Sequence, residues 1–294
     1  ANYDLAYLDK LLNDYPPALQ IELSAVCNLR CPFCYQSKPH FRKTPEARNG
    51  YMDKYYFKEI IDEIAGKVPY IVIASRGEPT LHPQFEEFMC YLSGKFLDVK
   101  VNTNATLLDT HKLEALFKAA DTVVISADSE DEKLYAEMRK GSTRSNLIKR
   151  LKLYQQVLSH HPRRDEIYTR ISGVNFNEKN QDFAKFSAFY SDFCNDAVYV
   201  DYVPWENIYS MEKNEDAALT PCSELWTMMY IWSDGRYNCC DVDYMSNLVG
   251  EKLNAHESRY AVSNAWTSVN MNNLREQHLS GRRGELTPCN VCPN

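Results

Sequence analysis

Cys27, Cys31 and Cys34 fall within one short stretch, "CNLRCPFCY" (27–35), with Phe33 directly before the third. Thiols at such tight spacing suit an iron–sulfur cluster, whose irons lie only a few Å apart. A cubane of four irons normally takes four thiolates. Three leave one iron with an open coordination position, as catalytic zinc sites keep a fourth position free. A zinc knuckle completed by His40 is the competing reading of the same residues.

A second thiol set closes the chain. "CSELWTMMYIWSDGRYNCC" (222–240) carries Asp-Gly between apolar stretches, a hairpin signal that would bring Cys222 and Cys240 together. "CNVC" adds Cys289 and Cys292. Four thiolates saturate a second cubane or, equally, a structural zinc. Cys90 and Cys194 stand alone and read as core-packing thiols. Ten cysteines in 294 residues without an export signal point to reduced thiols serving as metal ligands, and to the cytoplasm. The net charge of −7 and the lack of a basic block argue against a nucleic-acid binder. No run reaches the roughly 18 apolar residues of a spanning helix, so no membrane partner is expected.

The elements that must position these thiols alternate. "LQIELS" (19–24) reads as a strand running straight into the cysteine loop. Helical spacing at 56–68, 85–96, 111–120, 146–161 and 182–193 alternates with β-rich stretches at 70–75, 99–108, 121–128, 167–176 and 197–205. Such alternation implies βαβ units and a parallel sheet. Six units make an α/β fold, a partial (β/α)6 barrel. The expected division is an N-terminal extension (1–18), the barrel (19–206) and a small cluster-binding domain built from a β-hairpin plus helix (207–294).

The three-cysteine loop after the first strand, with an aromatic before the third cysteine, resembles the radical S-adenosylmethionine (SAM) enzymes. In that family the open iron chelates the methionyl amino and carboxylate groups of SAM, and reductive cleavage yields a 5′-deoxyadenosyl radical that abstracts hydrogen from a substrate. The resemblance extends along the barrel. "SRGEPTLHP" (75–83) matches the family's Gly-Gly-Glu-Pro motif with Arg76 in place of the first Gly, so Gly77, Glu78 and Pro79 are expected at the cofactor. Gly77 would let backbone approach the ligand, and Glu78 would accept from an ammonium. "NTNAT" (102–106) offers Asn102 and Asn104 to ribose hydroxyls. "SADSEDEKLYAEMRKG" (126–141) offers Ser126 and Arg139 to ribose or the SAM carboxylate. Phe33 belongs to the same cofactor set.

The C-terminal cysteines resemble the auxiliary-cluster extensions called SPASM and twitch domains, whose opening of Cys, Gly and Cys fits Cys222, Gly235 and Cys240. With Cys289 and Cys292 this implies a second 4Fe–4S cluster in electron transfer. Its reductant would be a flavodoxin or ferredoxin. With one auxiliary cluster, and no peptide-recognition domain before residue 19, the expected substrate is a small polar molecule of the sugar, aminocyclitol or aminoglycoside kind, dehydrogenated or epimerised. A peptide- or protein-modifying enzyme is the alternative, and a non-enzymatic iron–sulfur or zinc protein is the alternative of another class. A dehydrogenase needs a base, for which Arg170, Asp201 and Glu206 are candidates at strand ends. An epimerase needs a hydrogen donor, for which Cys239 is the candidate. His82 reads as a turn residue.

Overall fold

The computed structural model describes residues 13–293 apart from 177, 178, 180 and 214–219. Most of the expected N-terminal extension, and part of the expected boundary at 207–220, therefore lie outside the described residues. Leaving short helical turns unnumbered, the elements run β1 (Ala18–Ile21), α1 (Lys54–Ile64), β2 (Tyr70–Ile73), α2 (Phe85–Leu92), β3 (Asp98–Thr103), α3 (Thr110–Ala119) and β4 (Thr122–Ser126). They continue with α4 (Glu132–Met138), α5 (Arg144–His160), β5 (Tyr168–Asn175), α6 (Phe183–Tyr190), β6 (Asp196–Asp201), β7 (Met228–Ile231), β8 (Tyr237–Asn238), α7 (Ala261–Trp266) and α8 (Val269–Leu279).

Strands β1 to β6 pair in parallel in sequence order, the expected partial barrel. Period-2 alternation divides each strand between two environments. On β3, Val99, Val101 and Thr103 are buried, while Asp98, Lys100 and Asn102 are only half-buried on the opposite, concave face. Helices cover the outer face. Asp53 caps α1 by accepting from the backbone N–H groups of Tyr55 (2.9 Å) and Tyr56 (3.1 Å), and the helix buries Phe57, Ile60, Ile61 and Ile64.

Three findings differ from expectation. The sheet does not stop at residue 206: β7 pairs in parallel with β1, from Ala18↔Met228 to Ile21↔Ile231, and β8 returns antiparallel to it. An apolar "MMYI" strand flanking the first barrel strand covers an edge that would otherwise expose unpaired backbone. Among the described residues the tail also holds two helices longer than a single turn, α7 and α8, rather than one. Its periodic signal is faint because Met271 and Leu274 of α8 are set among polar residues. Finally, Cys90 is exposed on the outer side of α2, not packed in the core. The Asp-Gly hairpin forms as expected, with Gly235 at φ +85°.

Candidate active site

A cavity of about 240 Å³ opens where β2, β3 and β4 end against the cysteine loop. Cys27, Cys31 and Cys34 line it together with Phe33, Asn102 and Arg139. A larger cleft of about 570 Å³ beside Glu63 and Arg259 contains no cysteine. The loop is held from several sides. Cys34 N–H donates to the Cys31 carbonyl (3.1 Å) and Arg30 N–H to the Lys140 carbonyl (2.8 Å). Gln36, buried and not anticipated from sequence, donates from Nε2 to the carbonyls of Ala25 (2.7 Å) and Arg76. Asn28, also unanticipated, accepts from Asn104 Nδ2 (3.0 Å) and donates to Thr106 Oγ1 (2.8 Å). Burial pushes the Cys27 and Cys34 thiols up to about 12, so these sulfurs are protonated until a metal displaces the proton.

Glu78 and Gly77 both line the cavity and also brace the chain around it. The buried Glu78 carboxylate is already engaged: Oε1 accepts from Thr80 Oγ1 and Thr103 Oγ1 (2.6 Å each), and Oε2 from Asn104 N–H (2.7 Å). It ties the β2 and β3 ends together at the cavity wall. Burial raises its pKa against these hydrogen bonds. Gly77 packs closely against the chain. A Cβ there would sit 2.3 Å from the Ser24 carbonyl oxygen and 2.4 Å from that of Val26, the backbone entering the cysteine loop. Gly77→Ala is therefore expected to cost roughly 1–3 kcal/mol by overpacking and to lower the iron bound per chain, read by thermal melting and iron analysis. A stable variant with full iron content would contradict this placement. Pro79 opens a helical turn beneath Glu78.

Two cavity groups carry the mark of a ligand site. Asn102 Oδ1 and Ser75 Oγ are buried without a hydrogen-bond partner among the described residues, and buried polar atoms are ordinarily paired. Ser75 also holds φ at +136°, a region costly for any side chain. Ser126 lines the same wall. Arg139 pairs with the buried Asp128 (Nε to Oδ2, 2.5 Å), lies 5.5 Å from the Phe33 ring and places Nη1 3.9 Å from Cys31 Sγ.

Of the base candidates, Asp201 is exposed at the end of β6. Arg170 offers only donors, so it suits holding an anion rather than taking a proton. Its register neighbours Val124 and Asn102 share its sheet face, and its charge, after burial, disfavours that of Lys100. Glu206 does not line the cavity, but a run of aromatic rings leads to it. It is buried, with Oε1 accepting from Tyr202 OH (2.8 Å) and Oε2 unpartnered among the described residues. The aromatic path Phe33–Phe176–Tyr202, with centroids 5.1 and 4.5 Å apart, runs from the cavity to it. Cys239 is 1% exposed and lines the C-terminal thiol pocket, not this cavity, a position unsuited to donating hydrogen to a substrate.

That second pocket is lined by Cys222, Cys239, Cys240, Cys289 and Cys292. Arg283 is buried beside it and donates to the carbonyls of Thr220 (2.7 Å), Cys292 (3.0 Å) and Cys289 (3.2 Å). His40 Nε2 hydrogen-bonds Tyr244 OH (3.0 Å), and His40 does not line the cavity of the first loop. Tyr244 stacks on Tyr35 at 4.1 Å, within an aromatic cluster that also holds Cys292. The cluster thus spans from the first thiol loop to the second thiol pocket. Among the described residues no three His, Cys, Asp or Glu converge on a single-ion site; both thiol groups line volumes instead.

The radical SAM superfamily profile matches residues 21–185, more than half of the chain and the whole of the cavity just described. The chain belongs to the radical SAM superfamily. That membership implies SAM and a 4Fe–4S cluster. Among curated relatives, this radical SAM chain is 33% identical over 136 residues to the antilisterial bacteriocin subtilosin biosynthesis protein AlbA of Bacillus subtilis, a match covering 44% of the chain and 29% of AlbA. It spans less than half the length of the curated relatives it matches. Its fold resembles that of Streptococcus suis SuiB solved with the precursor peptide SuiA (TM-score 0.67, 19% identity, 92% of this chain and 69% of SuiB). It also resembles BtrN in complex with AdoMet and 2-DOIA (TM-score 0.62, 14% identity, 96% and 95%). Among the described residues no helix is long and apolar enough to cross a membrane.

Proposed function

We propose that this radical SAM enzyme modifies a peptide, using Cys27, Cys31 and Cys34 to hold its catalytic cluster. The observation that carries the proposal is the cavity itself: three thiols on one wall, and unpartnered Asn102 Oδ1 and Ser75 Oγ on the other. Cluster and SAM, when bound, supply one-electron cleavage of SAM and hydrogen-atom abstraction. The protein's own residues orient them. Phe33, Ser126 and Asn102 line the SAM wall, Asn104 and Asn28 brace the loop, and Arg139 places a cation beside Cys31. Glu206 is the base for any step that releases a proton.

Cys222, Cys240, Cys289 and Cys292 would hold a second 4Fe–4S cluster, with four protein ligands leaving no iron open. Its role would be electron transfer, and the Tyr35–Tyr244 stack lies between the two thiol groups. A flavodoxin or ferredoxin-type protein would supply the electrons.

Two of the similar proteins favour a peptide over the expected small polar substrate: AlbA is named for biosynthesis of a bacteriocin, and SuiB was solved with a precursor peptide. The concave sheet face is open, with Val200 43% exposed. Lys100 and Arg170 lie on that face two strands apart, near enough for the Arg170 charge to disfavour that of Lys100, and would hold a carboxylate of the substrate. Burial, with Arg170, lowers the pKa of Lys100, and a bound anion would reverse that. The small-molecule reading retains specific support, including the match to BtrN over 95% of its length.

The reduced enzyme should be given short peptides encoded beside its gene, and separately a panel of aminocyclitols and sugars, with 5′-deoxyadenosine measured. Peptides are expected to raise its formation above the substrate-free rate. Stimulation by the small molecules alone would contradict the peptide reading.

A further inference from the structure

We infer that His278 donates a hydrogen bond from Nε2 to the sulfur of a cluster held in the C-terminal thiol pocket, and that with Arg283 it raises that cluster's reduction potential. The inference rests on the proposed second cluster. His278 lies on α8 and is 1% exposed. Its Nδ1 accepts from the backbone N–H of Cys222 at 3.2 Å. A ring nitrogen that accepts carries no proton, so the neutral imidazole bears its hydrogen on Nε2. That Nε2 is buried, has no hydrogen-bond partner among the described residues, and belongs to a side chain lining the five-cysteine pocket.

A buried N–H left without an acceptor is unfavourable; five cysteines line the pocket, and its carboxylates, Glu224 and Asp243, already accept from Tyr230 OH and Tyr209 OH. The same tautomer argues against His278 as an iron ligand. Ligation through Nε2 would require the proton on Nδ1, where the Cys222 N–H already points. The ligand role therefore stays with the thiols, and the imidazole acts from outside them as a donor.

Arg283 supplies the second element. Its guanidinium is fixed by the carbonyls of Cys289 and Cys292 and of Thr220, two residues before Cys222. A buried cation is thereby fastened to the backbone of the ligand set itself. A cubane with four thiolates is a net anion and becomes more negative on reduction. A nearby cation and an N–H donor both favour the reduced form, since net charge and hydrogen bonds to sulfur set cluster potentials. The atoms involved exchange no bonds; the electron goes to the cluster, and His278 and Arg283 keep their protons.

The test uses the full chain carrying Cys27→Ala, Cys31→Ala and Cys34→Ala, so that only the C-terminal cluster remains. Its midpoint is measured by potentiometric titration followed by EPR, with and without His278→Phe. The expected result is a cluster that loads normally but whose reduced-to-oxidised ratio at fixed potential falls about tenfold, a midpoint lower by about 59 mV for a one-electron couple. Arg283→Lys, which keeps the charge, should change it less than Arg283→Gln. An unchanged midpoint in His278→Phe overturns the inference. If His278→Phe fails to load, the parent labelled with 15N-histidine decides: weak 15N coupling and an exchangeable proton at the reduced cluster support the donor role. Strong coupling of a ligating nitrogen, or none, overturns it. A parent that binds no cluster at all overturns the second-cluster reading itself, a distinct outcome.

Discussion

Replacing Cys31 with alanine is expected to abolish 5′-deoxyadenosine formation from SAM under reducing conditions, while the chain stays folded and keeps roughly half of its iron. Cys31 is the middle thiol of the loop, 6% exposed, and the one approached by Arg139. Its loss leaves two thiols on the cavity wall, too few to hold a cubane against solvent. Small-for-large replacement at the cavity surface does not disturb the barrel core, whose side chains lie on the opposite faces of β1 to β4. The remaining iron is expected at Cys222, Cys240, Cys289 and Cys292. Cys90→Ala serves as the control, because that thiol is exposed on α2 and should leave iron and turnover unchanged. Full SAM cleavage by Cys31→Ala, measured by chromatography of the reaction, would remove the loop from the catalytic role.

The largest expected loss of stability comes from Arg76→Leu. Arg76 forms a bidentate pair with Glu22, Nε to Oε2 at 2.8 Å and Nη2 to Oε1 at 2.7 Å, with both side chains buried. Glu22 also accepts from Ser233 N–H (3.0 Å) and Oγ (2.9 Å), and Arg76 donates to the Tyr244 carbonyl (3.2 Å) and lies 4.5 Å from the Trp232 ring. One ion pair therefore fastens the ends of β1 and β2 to the hairpin that follows β7. Removing one partner leaves a buried carboxylate uncompensated, a change that costs about 3–5 kcal/mol and lowers the melting temperature of a chain this size by about 10 °C. Burial pushes the Glu22 carboxyl up, but Arg76 outweighs it and holds the pKa below the ordinary value. Its contribution is present above the unfolded pKa and is lost as pH falls through the lower folded one. Much of the deficit in Arg76→Leu should accordingly disappear in the double variant Glu22→Leu/Arg76→Leu, measured by thermal melting at neutral pH. Equal melting of single variant and parent would contradict this account.

Much of the barrel is legible in the sequence because its signals are local. Alternating strands such as "VKVNT" and capped helices such as the one after Asp53 state their own periodicity, and the order of six βα units leaves little freedom of topology. The thiol groups are legible for the same reason, since ligand spacing is carried by neighbouring residues. What escapes is set by long-range contact. Nothing near "MMYI" says that it will pair with residues 18–21. Gly77 reads as a ligand-facing glycine, and only the fold shows the Ser24–Val26 backbone packed against it as well. Arg76 reads as a motif defect, yet it is a buried ion-pair partner because Glu22 faces it across the sheet. Gln36 and His278 carry no motif at all; only their carbonyl and amide partners, many residues away, reveal them.

The central claim is a division of labour: three thiols for the cluster that meets SAM, four for the cluster that does not. It is tested most directly by EPR of the dithionite-reduced protein with and without SAM, in the parent chain and in the triple variant lacking Cys27, Cys31 and Cys34. SAM is expected to change the parent spectrum and to leave that of the remaining cluster in the variant untouched. A variant cluster that responds to SAM, or a parent that does not, would contradict the account.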